Sequence, residues 1–406
     1  MLLLTGVLLG LVVVLSIPVT VLVGECAAAC LFRPRHLPQG LHRSHPQDWL
    51  DSIPSLRVAV VMPAHNEALC IESALQTLLP QLGDRDRLLV VADNCHDDTA
   101  AIARNTGATV IERHDLTRRG KGYALDFGLQ WLASDPPDVV VMADADCRVE
   151  AGAIAQIAQQ AAAQHRPIQA VYRMEQPPNP SPGSALSAFA FLVKNQVRPG
   201  GLNRLGLPCL LTGTGMAFPW EIIHNAPLAS GNIVEDMQLG LDLAIAGYAP
   251  RLCPTAHVVG ILPQQAEAAD QQRTRWEHGH LQTLLTQAPR LVKASLRQGR
   301  VDLLAIALDL CVPPLSLLVM AWAGLLAIAL LAGLLGAAWT PALLLGLQGG
   351  LMAIAIVAAW ATFGRATISV RSLLTIPLYL FGKLPRYLKF FTHRQTEWIR
   401  TERNKG

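Results

Sequence analysis

Two carboxylates separated by one small residue, Asp144-Ala145-Asp146, directly follow the apolar run Asp138 to Ala143. That spacing can hold a hard divalent cation through oxygen ligands while substrate phosphates fill the other positions. A solvated turn at a strand end has the same sequence, so the pair gains weight only from its surroundings. Asp93, with Asp97 and Asp98, forms a second acidic group after Arg87 to Ala92. It reads as an N-cap cluster for a helix opening near Thr99, or as a nucleoside acceptor at Asp93, and both can hold. Arg118-Arg119-Gly120-Lys121-Gly122 is a basic, glycine-flanked turn before a helix; it suits an anionic ligand or is a plain surface turn. Glu235-Asp236 could supply a general base that takes a proton from an attacking hydroxyl, or could cap the helix Met237 to Ala246. Gln272, Arg275 and Trp276 have i, i+3, i+4 spacing and share one helical face. Arg suits bidentate phosphate contact and Trp offers a flat surface for a sugar ring. An amphipathic surface helix near a membrane explains the same three residues. Thr212, Gly213, Thr214 and Gly215 break an apolar run; they line an acceptor pocket or form a glycine bulge in a strand.

The elements needed to position these groups are short β-rich runs alternating with helical stretches. Leu56 to Met62, Arg87 to Ala92, Ala108 to Glu112 and Asp138 to Ala143 read as strands. Ala68 to Leu79, Thr99 to Thr106 and Lys121 to Leu132 read as the helices between them. This alternation predicts an α/β fold with a parallel sheet covered on both faces. Ligands bind such sheets at the carboxyl ends of the strands. The acidic and basic clusters just named fall at those ends.

The bulk composition adds a membrane. Of 406 residues, 51% are hydrophobic and only 16% charged, against about 25% charged in average soluble domains. Met1 to Gly24 carries no charge, and the basic residues Arg33, Arg35 and Arg43 come after it, which suggests an uncleaved anchor followed by cytosolic chain. Leu310 to Gly364 is free of charge and long enough for two spans, with Trp339-Thr340-Pro341 as the turn between them. Arg290, Lys293, Arg297 and Arg300 before it, and Arg365 and Arg371 after it, put both ends in the cytosol. Ser372 to Gly382 and the basic tail predict an interfacial amphipathic helix, with a fourth span starting near Ala366 as the alternative. Lys194, Arg198 and Arg204 read, with that tail, as a basic surface beside the bilayer. The net charge of +3 makes no case for nucleic acid. Eight scattered cysteines without a CxxC pair predict reduced thiols. His278 and His280 read as ordinary polar positions.

Taken in order, PAHNE (Pro63 to Glu67), ADNCHDDT (Ala92 to Thr99), RGKGYAL (Arg119 to Leu125), DAD, GTG, VED (Val234 to Asp236) and QRTRW resemble inverting glycosyltransferases of family 2 with the GT-A fold. The likeness covers about Leu56 to His280. With the flanking segments it resembles the membrane-integrated branch that contains cellulose, hyaluronan and poly-N-acetylglucosamine synthases and ceramide glucosyltransferases. The resemblance implies a domain plan of an anchor (1–25), a GT-A domain (51–290), a transmembrane hairpin (302–364) and an interfacial helix with a basic tail (366–406).

The resemblance also implies roles. Pro63, Ala64, Asn66 and Glu67 form the nucleotide loop, Asp93 contacts the nucleoside, and Lys121 approaches the base or phosphates. Asp144 serves the ribose and the metal, and Asp146 is the direct ligand of Mg2+ or Mn2+. Asp236 is the catalytic base. Gln272, Arg275 and Trp276 bind the diphosphate and the acceptor end, and Thr212 to Gly215, with Glu235, face the acceptor. The implied enzyme is a hexosyltransferase of the inner membrane with a cytoplasmic catalytic domain. It would use a UDP-sugar and an acceptor that is a lipid or lipid-linked saccharide, among membrane lipids. Ala92 and Asn94-Cys95 depart from the residues many relatives carry there. A processive synthase extruding its polymer, and a non-catalytic scaffold with a degenerate transferase domain, are the alternative readings.

Overall fold

The computed structural model describes residues 1–32, 56–176, 182–229, 234–262 and 266–373, with positions 376, 379 and 383. The chain opens with α1 (Leu2–Leu31), then β1 (Val58–Ala64), α2 (Ile71–Leu78), β2 (Arg87–Asp93), α3 (Thr99–Thr106), β3 (Thr109–Arg113), α4 (Lys121–Leu132) and β4 (Val139–Met142). There follow β5 (Cys147–Val149), α5 (Ala153–Gln164), β6 (Ile168–Glu175), α6 (Pro182–Leu192), α7 (Arg198–Arg204), β7 (Met216–Pro219), α8 (Trp220–Ile223), α9 (Glu235–Ile245) and β8 (Arg251–Ile261). The last elements are α10 (Ala266–Gln298), α11 (Val301–Leu310), α12 (Leu315–Leu334), α13 (Thr340–Ala359) and α14 (Val370–Leu373). The chain divides into two compact units. One holds the eight strands with α2–α5, α8 and α9. The other holds α1, α6, α7, α11–α14 and α10 from Asp270 onward.

In the first unit the strands form one sheet in the order β3-β2-β1-β4-β7-β6-β8-β5. The β3-β2-β1-β4 half is parallel, as the alternating pattern predicts. The apolar runs of β1, β2 and β4 are buried on both faces, as such a half requires, whereas the edge strand β3 is mostly exposed or half-buried. From β4 outward the sheet is mixed: β7 runs antiparallel to both β4 and β6, and β8 lies parallel to β6. The fold is thus α/β with a mixed sheet. On one face Leu125, Leu129 and Leu132 of α4 and Leu239 and Leu243 of α9 pack with Val61, Leu89, Val91 and Met142. The chain leaves β1 to build β2 and β3 on one side, then returns to β4 on the other. A crevice therefore opens at the carboxyl ends of β1 and β4, where doubly wound sheets bind ligands. The first turns of α4 and α9 sit over the same face, and each carries titratable groups.

In the second unit three helices are long and apolar enough to cross a membrane: Leu2–Leu31, Leu315–Leu334 and Thr340–Gly364. The turn between the last two lies at Leu335 to Trp339, and Thr340 and Pro341, expected in the turn, instead open α13, where a proline at the first helical positions costs no hydrogen bond. Trp322 of α12 donates its indole N–H to the Leu345 carbonyl of α13 at 2.8 Å. The expected interfacial helix at Ser372 to Gly382, and the basic tail after it, lie largely outside the described residues. The eight cysteines are unpaired thiols.

The basic surface expected around Arg198 is corrected by the structure. Arg198 is buried: its Nε donates to Glu25 of α1 at 2.6 Å, and its Nη2 donates to the Asp309 carbonyl at 2.7 Å and pairs with the Asp309 carboxylate. Arg204 donates to the carbonyl of Phe32 at 2.7 Å and to that of Ala29, closing the C-terminal end of α1. These cations face acids and orphan carbonyls within the unit rather than lipid. Removing one member of such a triad leaves buried charge uncompensated. Arg198→Met should therefore lower the stability of the detergent-solubilised chain by about 3–5 kcal/mol. Thermal unfolding of the full chain checks it, and a loss under about 1 kcal/mol would show that the triad behaves like a surface pair.

Candidate active site

The loops after β1 and β2 are knitted together. Asn66 (φ 55°) and Asn94 (φ 53°) take left-handed backbone, which Asn tolerates better than most residues. The Asn66 side chain accepts the His96 amide at 2.7 Å, and the Glu67 amide donates to Thr99 Oγ1 at 2.7 Å. Asp97 accepts the Thr99 amide at 3.1 Å in the turn that leads into α3, whose N-cap residue is Asp98. Pro63 and Ala64 are the last residues of β1, which brings the backbone to the same crevice. Asp93 ends β2 buried, and Arg113 Nη1 donates to it at 2.6 Å. Burial pushes the Asp93 carboxyl up, against the pull of that guanidinium.

A second cluster forms where α4 and α9 begin. Lys121 Nζ donates to the Gly213 carbonyl at 2.7 Å and pairs with Asp144, and Glu235 lies 3.9 Å away. Burial works against the Lys121 charge, but Asp144, Glu235 and Asp236 together hold its ammonium above the ordinary lysine range. Burial pushes the Glu235 carboxyl up to about 7; Asp236 adds to that, and Lys121 opposes it. Glu235 and Asp236 form the first turn of α9 rather than its cap, which is Val234 with no side-chain cap bond, and they belong to this cluster.

The residues Thr212 to Gly215 are a loop leading into β7 rather than part of a strand. Gly213 has φ +91°, and a Cβ there would sit 3.2 Å from Asp236 Oδ2 and 3.5 Å from Lys121 Nζ. Gly215 has φ +64°, and a Cβ there would come within 2.6 Å of Val258 Cγ2. Both positions need glycine, for backbone conformation and for space. Thr214 Oγ1 accepts the Asp144 amide at 3.1 Å, tying this loop to the acidic pair.

Asp144, Asp146 and Cys147 bring one ligand atom each within 4.8 Å of one another. Burial pushes the Cys147 thiol up to about 12. Two carboxylates with room for phosphate oxygens are a donor set for Mg2+ or Mn2+ rather than for a thiophilic ion.

The structure thus brings together Lys121, Asp144, Glu235, Asp236 and Gly213, with Thr214 and Asp146 attached through Asp144. Gln272, Arg275 and Trp276 belong to α10 in the other unit. Gln272 is buried there, and the Trp276 ring lies 5.6 Å from that of Phe191. His278 and His280 are buried in the same helix.

Two residues of the strand unit escaped the sequence reading. Arg113 partners Asp93. Gln169 is buried in β6, accepts the Thr212 amide at 2.9 Å and donates to the Thr214 carbonyl at 2.9 Å, splinting the glycine loop. An amide inside the otherwise apolar start of β6 was the available signal, because a buried amide needs partners.

The chain was also compared with known proteins. Residues 54–279 match the model of a family described as "Glycosyltransferase like family 2". Glucosyl-3-phosphoglycerate synthase of Mycobacterium tuberculosis is 37% identical over 97 residues, which are 22% of this chain and 28% of that enzyme. The chain therefore matches little more than a quarter of that relative's length. A mannosyltransferase from Pyrobaculum calidifontis, solved with GDP-Man and Mn2+, superposes with a TM-score of 0.52 at 19% identity, covering 94% of this chain and 100% of that one. Glucosyl-3-phosphoglycerate synthase solved with Mn2+ and UDP-Glc gives a TM-score of 0.40 at 22% identity, covering 60% of this chain and 84% of that one. The family match spans the crevice, the Lys121 cluster and the acidic pair together, and the chain belongs to the family 2-like glycosyltransferases, enzymes that transfer a sugar from a nucleotide donor.

Proposed function

We propose that this chain transfers a hexose from a nucleotide-diphospho-sugar, with a UDP-sugar as the favoured donor, to a membrane-associated lipid or lipid-linked saccharide, with inversion. The observation that carries this is the convergence of the Asp236 carboxylate and the Lys121–Asp144 pair on the Gly213 loop, at the crevice of the sheet. In this reading residues 1–25 anchor the chain, 51–290 form the catalytic domain on the cytoplasmic side of the inner membrane, 302–364 form a membrane hairpin and 366–406 an interfacial tail. The product would enter glycolipid or exopolysaccharide synthesis.

Asp236 takes the proton of an acceptor hydroxyl. The oxygen forms a bond to the anomeric carbon from the face opposite the diphosphate, the bond from that carbon to the diphosphate breaks, and the nucleoside diphosphate leaves. Lys121 provides positive charge beside the leaving group. Asp93, with Asn66 and Glu67, holds the nucleoside, and Gln272, Arg275 and Trp276 serve the diphosphate and the acceptor end. The Asp144–Asp146 pair would hold Mg2+ or Mn2+, which neutralises diphosphate charge when bound.

The test is a donor screen of the purified full chain with extracted membrane lipids and Mn2+ or Mg2+, with products read by mass spectrometry. The expected result is one hexose added to a lipid and loss of that product with EDTA. Polymer of many sugars would replace this reading by a processive synthase, and absence of both transfer and donor hydrolysis would point to a scaffold.

A further inference from the structure

We propose that the second half of α10 is a docking stripe for the headgroups of anionic phospholipid. Leu285, Pro289, Val292 and Leu296 follow one another at steps of four, three and four residues, so they share one face within roughly 60°. That face is open: Leu285 is 58% and Leu296 80% exposed. Leu291 and Ser295, on a different face, are buried within the unit. The helix is therefore fixed on one side and presents bare hydrocarbon on another.

Lys293 and Arg297 lie roughly a quarter turn from the apolar stripe, and with it they line a single groove. Arg290 follows on the same basic side. From His278 to Val301 the sequence contains no Asp or Glu. Among the described residues no carboxylate pairs with Lys293 or Arg297. An apolar groove whose polar lining residues are both cations matches the boundary between acyl chains and phosphate groups, with the leucines in the former and the cations at the latter. An acidic protein partner would satisfy the cations but would leave the leucine stripe against polar surface. Lipid carrying a net negative charge satisfies both.

This rests on the reading of α1, α12 and α13 as membrane spans. The test uses the full chain in nanodiscs of phosphatidylcholine, with and without phosphatidylglycerol. Native mass spectrometry reads the retained lipid, and hydrogen exchange reads residues 285–297. We expect phosphatidylglycerol to be retained preferentially and to protect the segment. The preference should fall about five-fold for Lys293→Gln or Arg297→Gln, and about 25-fold for the double variant. UDP binding serves as the control for folding. An unchanged preference in the double variant, or equal protection in both nanodiscs, would overturn the proposal. Failure of the transferase reading would show instead as absent donor turnover, and failure of the membrane reading as a chain that stays dispersed without detergent.

Discussion

Asp236→Asn is expected to lower sugar transfer by roughly 10²–10⁴-fold while UDP binding changes by less than about two-fold. The substitution keeps the shape of the side chain and removes its capacity to take a proton. Asp236 is placed for that task by three features. It stands in the first turn of α9, where an anion is favoured by the helix N-terminus. Its Oδ2 faces Gly213, whose missing side chain leaves room for an acceptor to approach. It also lies in the field of the Lys121 ammonium, beside Glu235, whose carboxyl burial pushes up to about 7. The measurement is transfer from radiolabelled donor alongside calorimetric UDP binding. Transfer retained near the native rate would remove Asp236 as the base. Loss of both transfer and UDP binding would mean that the substitution disturbs the donor site as a whole.

The parallel half of the sheet was readable because its signals are local. The expected helices Thr99 to Thr106 and Lys121 to Leu132 match the structure at both ends, since an acidic cap and a glycine-flanked turn mark their starts. Strands β1 to β4 differ from expectation by one or two residues, where backbone pairing extends past the apolar run or stops short of it. The other half was not readable, because its pairings are remote in sequence. β7 returns antiparallel beside β4, and nothing in Met216 to Pro219 marks that direction. The same limit explains Arg198. Its partners Glu25 and Asp309 lie 173 and 111 positions away, so a cation beside apolar segments reads as a lipid-facing surface until its neighbours are known. In the site, the sequence identified Lys121, Asp144, Glu235 and Asp236 as separate motifs. It did not show that one ammonium pairs with Asp144 and Glu235 and feels the charge of Asp236, nor that Gln169 and Arg113 hold the surrounding loops in place.

That shared ammonium leads to the second large effect. Lys121→Met should reduce transfer by roughly 10²–10³-fold, through both the donor and the acceptor sides. On the donor side, Lys121 pairs with Asp144 and is the cation available to the departing diphosphate. On the acceptor side, it holds the Gly213 carbonyl at 2.7 Å and so fixes the loop that faces Asp236. Methionine preserves the aliphatic stem but leaves the Asp144, Glu235 and Asp236 carboxyls without their cation, so stability falls as well, and thermal unfolding of the variant checks that it is still folded at the assay temperature. The electrostatic consequence has a definite sign. Lys121 lowers the proton affinity of Glu235, and Asp236 raises it. Without the ammonium, the Glu235 carboxyl should be pushed up further. The acidic limb of the pH–rate profile should therefore move to higher pH in the variant, together with a higher KM for donor and a lower kcat. Lysine acting only as a structural tether would lower kcat with no movement of the profile. Recovery of the native profile in Lys121→Arg would then confirm charge as the operative property, because arginine restores the cation while reaching the loop with a different geometry.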